Sequence, residues 1–225
     1  MQEPIKGLTT DRDEFLSREE LKEYDYDFLN KLYVMFLDDE GALFNWLGCN
    51  GLVEQLDFHK KYVDQIKPKN VLEVGTHKGY YSYFMKKLIP DVKIWTFGIN
   101  EESQLCVDEI HKYFGEEFIT FFPGNSVETL SNFENPEQIK FDLAWVDGGH
   151  DYECAYSDLK NCARLGIDNI LIDDCDNGLV SKSVQNFVND NQPKYVIMEE
   201  SPFERKITYI GNSSHWKPIS SETLN

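Results

Sequence analysis

Val71-Leu72-Glu73-Val74-Gly75-Thr76-His77-Lys78-Gly79-Tyr80-Tyr81-Ser82 decides how the chain is read. Val71 to Val74 is a short apolar run broken only by an acid, as expected of a strand covered on both faces. The loop from Gly75 to Gly79 reverses direction, and Tyr80 to Leu88 carries helical spacing, so the stretch reads strand, loop, helix. Its glycines stand four apart. That is not the three-glycine fingerprint in which a pyrophosphate rests on a helix N-terminus, and it disfavours a nicotinamide cofactor. A strand ending in an acid, then a glycine that lets backbone approach a ligand, suits a cofactor with an amino acid moiety and no phosphate. A glycine turn that merely packs helix on sheet is the alternative.

Outward from this stretch the rhythm repeats. Upstream, Leu52, Leu56, His59, Val63 and Ile66 follow helix spacing up to Pro68. Downstream, strands are expected over 93–99, 119–122, 141–146 and 169–172, alternating with helices over 104–114, 153–164 and 182–189. Two last strands, 195–198 and 206–210, flank Ser201-Pro202 closely enough to pair antiparallel at one edge. The sum is an open α/β sheet, mostly parallel, with an antiparallel edge and helices on both faces. Acids crowd Asp11 to Asp27, after which Phe28, Leu32, Met35 and Phe36 recur at helical spacing before the turn-like Asp38-Asp39-Glu40-Gly41. Residues 1–50 are therefore expected to be a helical extension, a lid or a dimer contact, and 51–225 the main domain.

At 225 residues, with 41% hydrophobic and 14% aromatic content, the chain suits one core. The formal charge of -18 repels phosphate backbones and anionic lipid alike, so neither nucleic acid nor membrane is an expected partner. The first fifteen residues carry no secretory apolar stretch, and five cysteines (Cys49, Cys106, Cys154, Cys162, Cys175) lack CxxC spacing. Both features point to free thiols and a cytoplasmic setting.

The stretch VLEVGTHKGYYS resembles the first motif of class I S-adenosylmethionine-dependent methyltransferases, Glu-x-Gly-x-x-x-Gly after a strand. Phe141-Asp142-Leu143-Ala144-Trp145-Val146-Asp147-Gly148-Gly149-His150-Asp151-Tyr152-Glu153 is more specific. It is similar to the FDLxxxDGxHxYE segment of small-molecule O-methyltransferases in that class. The resemblance covers roughly residues 50 to 211 and implies a Rossmann-like methyltransferase sheet. It implies that Glu73, Gly75 and Thr76 lie beside the methionine part of S-adenosylmethionine, with Gly79 and Tyr80 beginning the covering helix. Asn100 falls where the family usually has an acid for the ribose hydroxyls, and Asn125-Ser126 where it often has Asp-Ser for the adenine amine. Asn125 can still accept through its amide oxygen.

Asp147 ends one expected strand and Asp173-Asp174 the next, which puts the three carboxylates at one edge of a parallel sheet, on strands about 4.8 Å apart. Like charges this close must shift their pKa values, hydrogen-bond elsewhere or bind a cation, and oxygen ligands favour Mg2+, Ca2+ or Mn2+. The pattern looks like the divalent-metal site of catechol-type and macrolide-sugar O-methyltransferases, so Asp147, Asp173 and Asp174 are the expected ligands. Helix capping by these residues is the plain alternative. His150 stands where the catechol-type enzymes carry a proton-accepting lysine, which makes it the expected base beside Asp147. His77 and Lys78 are expected to face solvent. The expected activity is methyl transfer from S-adenosylmethionine to a hydroxyl of a small molecule, with sugar, phenol and polyketide hydroxyls all open as acceptors, Mg2+ or another divalent ion assisting and a homo-oligomer allowed. The rival expectations are a binding or scaffold protein that lost turnover and a metal-independent methyltransferase.

Overall fold

The computed structural model describes residues 22–35, 51–202 and 206–214. In chain order these form α1 (Tyr26–Val34), α2 (Gly51–Ile66), β1 (Asn70–Val74), α3 (Tyr80–Leu88), β2 (Lys93–Gly98), α4 (Ser103–Phe114), β3 (Ile119–Pro123), α5 (Ser126–Thr129), β4 (Leu143–Val146), α6 (Tyr152–Arg164), β5 (Asn169–Ile172), α7 (Gly178–Asp190), β6 (Tyr195–Glu200) and β7 (Thr208–Asn212). Most of the expected extension lies outside the described residues, including Phe36, the turn at 38–41 and Cys49.

The seven strands make one sheet in the order β3-β2-β1-β4-β5-β7-β6. β1 to β5 are parallel, whereas β7 runs antiparallel to both β5 and β6, as the edge pair required. Chain order reverses between β1 and β4, and the crevice beyond the carboxyl ends of such strands is where open α/β sheets bind ligands. β4 is buried along its whole length, and β1 and β5 along all but the first residue of each. Central strands with both faces covered need continuous apolar runs rather than alternation, and the sequence supplies them.

Alternate residues of each strand feed two cores. Val71, Ile94, Leu143, Trp145 and Leu171 pack with residues of α1 to α4. Leu72, Val74, Phe97, Val146 and Ile172 pack with α6 and α7. α1 begins where the Asp25 carboxylate accepts from the Phe28 N–H at 3.0 Å, and its Leu29 and Leu32 are fully buried. Phe28 meets Tyr83 and Tyr113, so this short helix belongs to the first core.

α2 forms where its spacing placed it, but with a rotated inner face. Gln55, Phe58, His59, Tyr62 and Val63 are buried, while Leu56 and Ile66 are only half-buried. Turning two aromatic rings inward removes more apolar area from water than turning Leu56 and Ile66 inward. Among the described residues no helix is long and apolar enough to cross a membrane.

Candidate functional site

The loop after β1 fits against the ends of two neighbouring strands. The Gly75 N–H donates to the Phe97 carbonyl at 2.8 Å, which ties the loop to β2. On its other side, Gly75 has φ +101, and a Cβ built there would lie 1.8 Å from the Asp147 carbonyl oxygen. Thr76 is buried with its hydroxyl 2.7 Å from that of Thr96, and a side chain on Gly98 would strike it. Gly79, at φ +74, donates to the Thr76 carbonyl and leads into α3, whose first residue Tyr80 is buried. His77 faces solvent as expected, but Lys78 does not: it is fully buried, near enough to Cys106 for its charge to act on that thiol.

Glu73 is fully buried on β1, in register with Thr96 and Trp145. The Ser82 hydroxyl donates to its Oε2 at 2.6 Å, while Oε1 has no hydrogen-bond partner. Burial pushes the carboxyl up to about 7 against the lowering by Ser82 and Thr96, and the Asp147 charge adds to the rise. At the next two strand ends, the Asn100 side chain accepts from the Glu102 N–H and the Asn125 side chain accepts from the Val127 N–H, each at 3.0 Å. Asn125 thereby caps the single turn α5, which begins at Ser126.

The acidic residues do not converge as the spacing alone suggested. One ligand atom each of Asp147, Asp174 and His150 lies within 4.8 Å of the others. His150 Nε2 is 2.9 Å from Asp174 Oδ2 and 3.9 Å from Asp147 Oδ1. Asp173, expected with them, is buried at 3% exposure, and its Oδ1 accepts the Asp174 N–H at 2.8 Å. That bond accompanies a left-handed backbone at Asp174 (φ 54), a conformation that an aspartate tolerates better than most residues because it hydrogen-bonds locally. Three ligand atoms this close fit a divalent ion.

Two residues near this rim were missed in the sequence. His59 on α2 lies edge-on to Trp145, with ring centroids 4.3 Å apart, and its Nδ1 is buried without a partner. Burial lowers its pKa to about 4 while the Asp147 charge works the other way. Asp158 on α6 is fully buried behind Gly148, where burial pushes its carboxyl up to about 7 against the Ser126 hydroxyl. Each signal was a polar residue on an otherwise apolar helix face. A separate cleft of about 990 Å³ runs beside β3, lined by Trp95, Phe122 and Phe133, and contains none of these residues.

Residues 72–175 match a family model described as a methyltransferase domain, and the match spans both the glycine loop and the acidic group. Over those residues the chain is similar to a methyltransferase domain. The resemblance to class I S-adenosylmethionine-dependent methyltransferases read from the two motifs is thus borne out, and the enzyme class with it. Solved structures agree on the fold. The O-methyltransferase TomG from Streptomyces achromogenes, involved in tomaymycin synthesis and solved with SAM, is 13% identical at a TM-score of 0.66, with 89% of this chain and 96% of that chain covered. An O-methyltransferase from Bacillus cereus solved with SAH gives 14% and 0.65, over 89% and 96%. The SAH-bound methyltransferase PaMTH1 of Podospora anserina gives 18% and 0.61, over 94% and 98%. Among curated proteins none matches significantly.

Proposed function

We propose that this methyltransferase domain moves the sulfonium methyl of S-adenosylmethionine to a hydroxyl oxygen of a small molecule at the rim shared by the Gly75 loop and the Asp147–Asp174–His150 group. One observation carries the reading: Gly75 packs directly against the Asp147 backbone, so the cofactor loop and the acidic group meet at a single residue. Glu73 fits the cofactor's ammonium, because a buried carboxyl with an unpartnered Oε1 gains most from a charged donor. Thr76, Gly79 and Tyr80 would border the methionine part, Asn100 the ribose, and Asn125 with Ser126 the adenine. In the transfer the C–S bond breaks with its pair staying on sulfur, and the acceptor oxygen forms the new bond to carbon. The hydroxyl proton leaves to the Asp147–Asp174–His150 group, which opens to solvent. A divalent ion, Mg2+ or another, would supply Lewis acidity there and lower the acceptor's pKa. Most of the advantage would come from holding the two reactants in line. The strongly acidic chain and the unpaired Cys106, Cys154, Cys162 and Cys175 support a cytoplasmic setting and a small-molecule partner.

Calorimetry with S-adenosylmethionine and its demethylated product, followed by a methyl-transfer assay on a panel of phenolic and sugar hydroxyls, tests the proposal. Asp147→Ala combined with Asp174→Ala is expected to lower the transfer rate about 100- to 1,000-fold while cofactor affinity stays within a few-fold. No heat of binding for either cofactor form would refute the site. A second reading, a binding protein without turnover, draws on the two amide oxygens of Asn100 and Asn125 already being engaged in local turns. Cofactor binding with no transfer to any acceptor would favour it, and transfer that survives chelation would favour a metal-independent enzyme.

A further inference from the structure

We propose that the cleft beside β3 is a second ligand site, separate from the transfer rim, and that it takes a small organic cation with an aromatic or aliphatic body.

The cleft exists because one connection in the sheet is short of helix. β1, β2 and β4 are followed by α3, α4 and α6, of 9, 12 and 13 residues, whereas β3 is followed only by the four-residue α5 and an irregular stretch up to β4. The sheet face that a longer helix would cover is left half-buried at Trp95 and Phe122. Phe133 closes the far side, its ring centroid 5.3 Å from that of Phe122. The wall that carries Phe133 is fixed by the fold itself. Arg164 of α6 donates to the Leu130 carbonyl at 2.8 Å and to the Phe133 carbonyl at 3.1 Å. The Asn135 amide both donates to and accepts from the Ile139 backbone at 2.9 Å. A preformed aromatic cleft of about 990 Å³ falls within the size range of small-molecule sites.

Charge then selects the class of ligand. Glu117, Glu128, Glu134 and Glu137 stand around the cleft against one base, Lys93. All five are exposed, so each contributes little as an ion pair; the aromatic floor supplies affinity and the acidic rim rejects anions. An ammonium over the Trp95, Phe122 or Phe133 ring gains from the ring quadrupole as well as from the carboxylates. A peptide strand is a weaker occupant, although β3 is an edge strand. His111 Nε2 already accepts the N–H groups of Phe118 and Ile119, at 3.2 and 3.0 Å, and Pro123 has no N–H, so few backbone donors remain for an added strand. A second copy of the chain, with its formal charge of -18, would set the same carboxylates against each other.

The test is calorimetry with phenethylammonium, the matched alcohol phenethyl alcohol and the matched acid phenylacetate. The ammonium is expected to bind about tenfold tighter than the alcohol, and the acid not measurably. Glu134→Gln combined with Glu137→Gln should weaken the ammonium about five- to tenfold and the alcohol by less than about twofold. Asp57→Asn combined with Asp64→Asn removes the same charge from the exposed side of α2 and should change neither. A change in tryptophan emission caused by the ammonium should vanish in Trp95→Phe, and urea unfolding checks that each variant is folded. Equal affinity for ammonium and alcohol, equal losses in the two double variants, or an emission change that survives Trp95→Phe overturns the proposal. So does an oligolysine peptide that binds more tightly than phenethylammonium and is weakened by the glutamate variant, which would give the cleft to a protein partner. Self-association that phenethylammonium competes away would give it to a second copy and overturns the proposal equally.

Discussion

Gly75→Ala should cost this protein on the order of 4 kcal/mol of stability. Two terms add at that position. The backbone sits at φ +101, where an L side chain is strained by about 1 to 3 kcal/mol. The new Cβ would also stand 1.8 Å from the Asp147 carbonyl oxygen and 2.6 Å from its carbon, and neither can swing aside as a side chain can. Asp147 is fixed because its N–H donates to the Val74 carbonyl at 2.8 Å, so overpacking adds about 1 to 3 kcal/mol more. In a chain of this size the loss corresponds to a fall in Tm of about 8 to 16 °C. Gly115→Ala is the control. Its φ of +73 is also left-handed, but nothing lies within 4 Å of a Cβ there, so about 1 kcal/mol is expected. Urea unfolding of both variants decides the matter, and equal losses would mean that the packing of the loop on Asp147 is wrong.

That contact changes what Gly75 means. From sequence, the glycine suits a backbone that must approach a cofactor. In the structure it first lets the ends of β1 and β4 meet, and the cofactor loop inherits its shape from that contact. A failed cofactor-binding test on a Gly75 variant therefore reports on folding as well as on the pocket.

The parallel strands were legible because burial on both faces demands runs such as Val71 to Val74 and Asn169 to Ile172, and few other structures use such runs between turn residues. The single turn α5 was not, since four residues carry no periodicity and its signal is only the Asn125 cap. The inner face of α2 was misjudged because leucines were counted ahead of Phe58 and Tyr62, which pack on each other and, through Tyr62, on Tyr209 of β7, far away in sequence. At the rim, Asp147 and Asp174 followed from strand ends alone. Asp173 did not: it is buried, accepts the Asp174 N–H and lies outside the group that Asp147 and Asp174 form with His150, and spacing does not distinguish adjacent residues of one loop.

Glu73→Gln should make the unliganded protein more stable at pH 8 and a worse binder of S-adenosylmethionine. The folded protein holds the Glu73 proton up to about 7, above the ordinary value of 4.5, so its contribution is present below pH 4.5 and is lost as pH rises through 7. Such a shift is worth about 3 kcal/mol. Asp158, raised from 3.8 to about 7, acts in the same sense. His59, lowered from 6.5 to about 4, acts in the opposite one, and adds stability as pH climbs from 4 to 6.5. Two carboxyls outweigh one imidazole, so stability should fall from about pH 5 and level off above about pH 7, once both carboxyls have ionised in the folded protein. Glutamine carries no charge to bury, and the variant should regain about 1 to 3 kcal/mol at pH 8, with a flatter profile by urea unfolding. If the carboxylate receives the cofactor's ammonium, the same change removes a charge-assisted bond and weakens binding about 10- to 100-fold. A variant that follows the natural protein's pH profile would rule out the buried charge. One that gains stability but keeps its affinity would instead move Glu73 out of the cofactor site and leave only its cost to the fold.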